Sequence, residues 1–429
     1  MSELPPGIEL SELDAGLRVV TEDVPSVRSV ALGLWVRTGS RDETPVQAGV
    51  SHFLEHLLFK GTERHSAIEI SELFDGMGAA TNAATSKEST HLHARVLDEH
   101  TERAFDLLAE MLLDPALPED EIDSEREVVL EEIAMYEDEP QDRVHDVLAE
   151  AVYGEHPLGR RVLGRAEVIG SIPVAEIAAY HEARYVAPNL VVAAAGNVEH
   201  ERIVELARRH LAPSSGPANA NGHEPATEAA RLRFYEKETE QYHICFGGPG
   251  MPRADERRFA LAVLDAIFGG SISSRLFREI REKRGLAYAV GSYTEQYVDR
   301  GMVAMYVGTR ADNVTEACEI IGRELTILRD DGVSEEELAR AKENVKGRMV
   351  LGMESTVARM SRNARNVLFE IPMLSLDEML ARVEAVDATQ LSELAGELYD
   401  PDRLAAACVG PDEACFRSAV GAVSEALAA

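Results

Sequence analysis

GVSHFLEHLLFKGT, residues 49–62, is the stretch around which the rest of the chain is read. Phe53, Leu54, Leu57, Leu58 and Phe59 make it apolar and Gly61 is a terminator, so a short helix is predicted. His52 and His56 stand four apart and project from one helical face, about one turn from each other. Glu55, three beyond His52, shares that face. Two imidazoles so placed can ligate one Zn²⁺ at about 2.0–2.1 Å per bond, with the carboxylate in reach of a water on the metal. The order His-x-x-Glu-His inverts the commoner His-Glu-x-x-His motif of zinc peptidases. A chance pair of histidines is the plain alternative. Against it, a carboxylate on an otherwise apolar helix is costly to bury without a partner. A zinc site also needs a third protein ligand.

Working outward, residues 8–36 read as two strands around a turn, near Leu17–Thr21 and Val27–Val36. After the motif, a helix is predicted over Ala67–Met77. GAATNAATSKESTHLHARV, residues 78–96, then alternates as a strand suited to a sheet edge. A further helix is expected from about Glu99 to Leu113. LPEDEIDSEREVVLEEIAMYEDEP, residues 117–140, opens with Pro118 and three acidic residues, which suit a first helical turn. It predicts a long helix over Pro118–Glu137, on which Glu125, Val128, Val129 and Glu132 share a stripe. This helix is the richest source of a third ligand. Periodicity does not choose among Glu125, Glu127, Glu131 and Glu132. Another strand is predicted over Asn189–Ala195.

Composition narrows the function classes. With 429 residues, 45% hydrophobic and 28% charged, the chain is ordinary globular material, enough for about two to four domains. Its net charge of −33 argues against a nucleic-acid surface, which would be basic. No apolar run approaches the roughly 20 residues of a membrane-spanning helix. The start, MSELPPGIEL, has neither a basic leader nor an apolar core, so no signal peptide is expected. Cys245, Cys318, Cys408 and Cys415 show no C-x-x-C pairing and read as thiols of a reducing cytosol, which predicts a cytoplasmic location. Gly247–Gly250 and Gly269–Ser271 lack the context of phosphate loops, so no nucleotide is expected.

Residues 212–230 are rich in Pro, Gly, Ser and Asn and read as a linker. Beyond them the first half repeats. QYHICFGGPG, residues 241–250, echoes the strand before the motif helix. FALAVLDAIFGGS, residues 259–271, echoes SHFLEHLLFKGT, and VSEEELARAKENV, residues 333–345, echoes LPEDEIDSEREVV. The expected organisation is α+β: an N-terminal domain over 1–211, and a homologous, inactive C-terminal domain over 231–429. In the second copy Leu261, Leu264 and Asp265 stand opposite His52, Glu55 and His56, and Ala341 opposite Glu125. The fold does not demand those polar residues, so they are there for chemistry.

GVSHFLEHLLFKGT, TNAATSKEST, DSEREVVLEEIAMYEDEP, YVAPNLVVAAAGNV and GGSISSRLFREIREKRGLAYAV together resemble the pitrilysin/insulinase family of inverted-motif zinc peptidases. The likeness spans essentially the whole chain and is strongest to the short-chain branch that includes mitochondrial processing peptidase and its bacterial relatives. It implies two α/β-roll domains of mostly antiparallel sheet, and a zinc endopeptidase that cuts unfolded peptides inside a dimeric chamber. The partner would be a second copy or a homologous subunit. The resemblance implies one Zn²⁺ per chain held by His52, His56 and Glu125, with Glu55 as general base. Asn82 and Ala83 would belong to an edge strand that binds substrate by strand addition. Arg281 and Tyr288 would hold substrate carbonyls or the developing oxyanion. His91 and His93 stand where relatives often carry aromatics and read as pocket or surface residues. The family also includes non-catalytic, scaffolding subunits, and that is the alternative function. Such members usually lose the zinc residues that this chain keeps.

Overall fold

The computed structural model describes residues 4–211, 214, 216–218 and 230–428. Most of the expected linker, 212–230, thus lies outside the described residues. The first sheet holds β1 (Ile8–Glu12), β2 (Arg18–Asp23), β3 (Ser29–Val36), β4 (Ala80–Thr85), β5 (Thr90–Leu97) and β6 (Leu190–Gly196). Their spatial order is β1-β2-β6-β3-β5-β4, antiparallel except for the β2–β6 pair. Residues 8–36 therefore form three strands where the sequence predicts two. Residues 78–96 form a hairpin, with Asn82 opposite His93 and Ala83 opposite Leu92.

The helices before residue 154 are α1 (Val50–Leu57), α2 (Ala67–Gly76), α3 (Thr101–Leu113), α4 (Glu119–Asp138) and α5 (Pro140–Tyr153). Leu32 and Leu34 of β3, Phe53 and Leu54 of α1, and Phe105 and Leu108 of α3 are buried in one apolar core. The helix Thr356–Leu368 covers the opposite face of this sheet. It approaches so closely that a Cβ at Gly33 would stand 2.5 Å from Met360 Sδ. Its Asn363 Nδ2 donates to Oε2 of the buried Glu22 at 2.7 Å, and Arg359 pairs with the same carboxylate. With both faces covered, β3 and β6 read as nearly continuous apolar runs. β4 is an edge strand and alternates between exposed and half-buried residues.

The second sheet holds β7 (Leu232–Glu236), β8 (Tyr242–Gly250), β9 (Ala287–Gln296), β10 (Gly301–Thr309) and β11 (Ala405–Gly410), in the order β7-β11-β8-β10-β9. Its β7–β11 pair is parallel, as β2–β6 is in the first sheet, and the remaining order matches β3-β5-β4. The two domains are copies of one α+β topology.

The compact units are not the contiguous halves 1–211 and 231–429. The first comprises Met1–Ala134, Arg160–Gly222 and Leu351–Ser375; the second comprises Met135–Gly159, His223–Val350 and Leu376–Ala429. α5 belongs to the second sheet, burying Val144, Val147 and Leu148 with Cys245, Tyr306 and Ala407. The physical reason is that an amphipathic helix specifies an apolar face but not the sheet that covers it. Among the described residues no helix is long and apolar enough to cross a membrane.

Candidate active site

α1 is held at its N-terminus by its own glycine and by a distant carboxylate. Gly49 has φ +98°, and a Cβ there would meet the Leu163 carbonyl oxygen at 2.7 Å, so no other residue fits without strain. The buried Glu43 accepts the Gly49 and Ser51 N–H groups at 2.7 and 2.8 Å, taking up donors that a helix start leaves unpaired. Burial pushes the Glu43 carboxyl up to about 7. Ser51 Oγ lies 2.8 Å from the buried Tyr180 hydroxyl, a second clamp on the same turn. Val50, Phe53, Leu54 and Leu57 are buried, which turns the His52/Glu55/His56 stripe away from the core. The helix ends at Leu57; Leu58–Gly61 form a turn, with Gly61 at φ +117°.

The two imidazoles face each other, Nε2 to Nε2, at 3.3 Å. Burial first, and the neighbouring His56 second, push His52 down to about 4, which keeps it neutral as a metal ligand must be. Glu132 on α4 places Oε2 3.5 Å from each of these Nε2 atoms. His52, His56 and Glu132 thus offer three donor atoms within 4.8 Å of one another. In a tetrahedral zinc site with bonds of about 2.0–2.2 Å, neighbouring donors stand about 3.3–3.6 Å apart. Distances of 3.3, 3.5 and 3.5 Å fit one face of that tetrahedron.

This geometry sets Glu132, rather than the expected ligand Glu125, beside the paired Nε2 atoms. Glu125 is 5% exposed, and its Oε1 accepts from His56 Nδ1, the ring nitrogen on the far side from His52, at 2.8 Å. Its other oxygen pairs with Lys60. Burial pushes the Glu125 carboxyl up, but the hydrogen bonds from Lys60 and His56 outweigh this and hold it below the usual range. The reason is helical geometry. Glu125 and Glu132 share a stripe but stand seven residues, about 10 Å, apart along α4, so only one can face the paired Nε2 atoms. Glu127 and Glu131 are exposed on other faces.

Glu55 is half-buried beside the imidazoles. Burial raises its carboxyl above the ordinary range, against hydrogen bonding from the Thr85 side chain and the pull of His56. Thr85 ends β4, so the candidate base touches the strand that carries Asn82 and Ala83. His91 stacks on Trp35 at 3.9 Å and 3°, with His93 beyond it at 5.6 Å. In the second unit Arg281 and Tyr288 meet each other: Arg281 Nη1 donates to the Tyr288 carbonyl oxygen at 2.8 Å, and its guanidinium lies 4.3 Å from the ring centroid. Tyr288 is 78% exposed. Among the described residues the second copy has no equivalent donor set. Aligning the starts of the two long helices, Glu119 and Glu335, sets Arg348 against Glu132.

Nothing in the sequence singles out Glu43 or Lys60, because a carboxylate in a polar loop and a lysine after a helix carry no periodic signal. Glu132 lies on the predicted α4 stripe, but the stripe does not distinguish it from Glu125.

The family model for insulinase, peptidase family M16, matches residues 18–166, and the model for the M16 inactive domain matches residues 171–345. An uncharacterized zinc protease of Streptomyces coelicolor is 41% identical over 399 residues, covering 91% of this chain and 87% of that one. The uncharacterized zinc protease YmxG of Bacillus subtilis is 42% identical over 387 residues, with 90% and 94% covered. In fold, a protease from Helicobacter pylori superposes with a TM-score of 0.88 at 22% identity, covering 95% of this chain and 100% of that one. With both domain models matched in order and such relatives along nearly its whole length, the chain belongs to the insulinase family of zinc peptidases, family M16.

Proposed function

We propose that the protein is a zinc endopeptidase in which His52 Nε2, His56 Nε2 and Glu132 hold the metal and Glu55 is the general base. The observation that carries this reading is the spacing of the three donors at tetrahedral-edge distances beside a half-buried carboxylate. Zn²⁺, when bound, supplies Lewis acidity that polarises the scissile carbonyl and makes water acidic enough to attack near neutral pH. Glu55 takes the proton from the attacking water and returns it to the leaving amine. Its raised carboxyl suits both transfers. The open edge of β4 receives an extended peptide as an added strand at Asn82 and Ala83, which favours unfolded substrates over compact ones. Arg281 and Tyr288 hold substrate carbonyls or the developing oxyanion, within a dimeric chamber whose partner is a second copy or a homologous subunit. Cys245, Cys318, Cys408 and Cys415 are unpaired, which suits a cytoplasmic location.

The test is Glu55→Gln. An amide cannot accept the water proton, so the variant should hold about one zinc per chain and lose nearly all turnover of a casein-like substrate. Near-normal turnover with zinc retained would remove Glu55 from the mechanism.

A further inference from the structure

Two charged side chains beside His56, Lys60 and Glu125, have no role in the zinc centre as described. Lys60 lies in the turn after α1, where its N–H donates to the Leu57 carbonyl at 3.0 Å. Its side chain is 30% exposed and its ammonium pairs with Oε2 of Glu125, whose side chain is 6% exposed. The Glu125 carboxylate is thus divided between two donors, Lys60 on Oε2 and His56 Nδ1 on Oε1.

That division has a consequence for His56. An ionised carboxylate only accepts hydrogen bonds, so His56 Nδ1 is the protonated nitrogen and Nε2 carries the lone pair. Nε2 is the atom that faces His52 and Glu132. His52 has no such support: its Nδ1 is buried with no hydrogen-bond partner among the described residues. The tautomer of the ligand pair is therefore set at His56, through Glu125. Charge points the same way. Glu55, Glu125 and Glu132 gather three carboxylates around the two imidazoles; Zn²⁺ would offset two of these charges and Lys60 the third.

Resting on the zinc-centre reading above, we propose that Lys60 is a positioning residue: by holding Oε2 of Glu125 it keeps Oε1 on His56 Nδ1, and so keeps the His56 Nε2 lone pair aimed at the metal. Without Lys60, Oε2 would be a buried acceptor lacking its donor. The carboxylate would then rotate toward water or another donor and release His56 to mix its two tautomers.

The experiment compares the full-length wild type with Lys60→Met, Lys60→Arg and Glu125→Gln. Zinc dissociation constants are measured by competition with a chelator, and histidine ¹⁵N resonances are recorded on the metal-free proteins. Lys60→Gln replaces Lys60→Met if the latter does not fold. Wild type should bind one zinc and show His56 with its proton on Nδ1. Glu125→Gln and Lys60→Met should weaken zinc binding by about 10- to 100-fold, the usual cost of losing an outer-shell partner, and should move the His56 resonances toward a tautomer mixture. Lys60→Arg should restore both to within a few-fold. A merely structural ion pair would change unfolding without moving these resonances. Lys60→Met with wild-type resonances and zinc affinity within twofold of wild type overturns the role of Lys60 and leaves the zinc centre standing. Wild type that takes up no zinc overturns the zinc-centre reading, and this inference falls with it.

Discussion

Glu43 gives the motif helix a measurable dependence on pH. Its carboxylate is 4% exposed and accepts two N–H groups of the first turn of α1, at 2.7 Å from Gly49 and 2.8 Å from Ser51. Burial outweighs these bonds and the nearby Arg160, raising the carboxyl from 4.5 to about 7. Between those values the folded chain holds a proton that the unfolded chain has lost. Stability from this group is therefore fully present below about pH 4.5 and declines as pH rises to about 7, beyond which it is level. A shift of about 2.5 units at about 1.4 kcal/mol per unit makes the decline about 3 kcal/mol. Glu43→Gln, which cannot titrate, should lack it. The assay is urea unfolding of metal-free wild type and variant, followed by circular dichroism from pH 4.5 to 8. The quantity read is the wild-type stability minus that of the variant, which cancels the many other acidic groups. It should fall by about 3 kcal/mol across the range. A difference flat within about 0.5 kcal/mol, or one that rises with pH, would refute the argument that desolvation dominates at Glu43.

Glu132→Gln should abolish tight zinc binding, since an open catalytic site needs three protein ligands, whereas the exposed Glu127→Gln should leave metal content unchanged by elemental analysis. Full zinc occupancy in Glu132→Gln would remove Glu132 from the ligand set. If Arg281 and Tyr288 serve the zinc site of the opposite protomer, mixing inactive Glu55→Gln chains with inactive Arg281→Ala/Tyr288→Phe chains should restore roughly a quarter of wild-type activity. Half the randomly exchanged dimers are mixed, and one of their two sites is intact. No recovery after subunit exchange, confirmed with differently tagged chains, would place each site within one chain.

Local patterns carried much of this molecule. The spacing of His52, Glu55 and His56 predicted one polar stripe on an apolar helix, and α1 presents it. Pro118 and the acidic run after it predicted the long helix that the structure bounds at Glu119–Asp138. The repeat of the motif segment and the long-helix segment implied a duplicated topology, which the matching strand orders display. These features depend on neighbours within a few residues, where helical and strand periodicity are strong. Three others depend on how distant elements meet. α5 and Thr356–Leu368 have apolar faces legible in the sequence, yet their assignment to the second and first units follows from long-range packing that periodicity does not encode. Residues 8–12 form a strand only by pairing with 18–22. Glu125 and Glu132 lie on the same stripe of the same helix and are chemically identical. Where α4 passes α1 decides that Glu132 meets both Nε2 atoms while Glu125 takes His56 Nδ1 from behind, with Lys60 on its other oxygen. A helix's sequence sets which residues share a face, and only its contact with a second helix sets which of them arrives at the site.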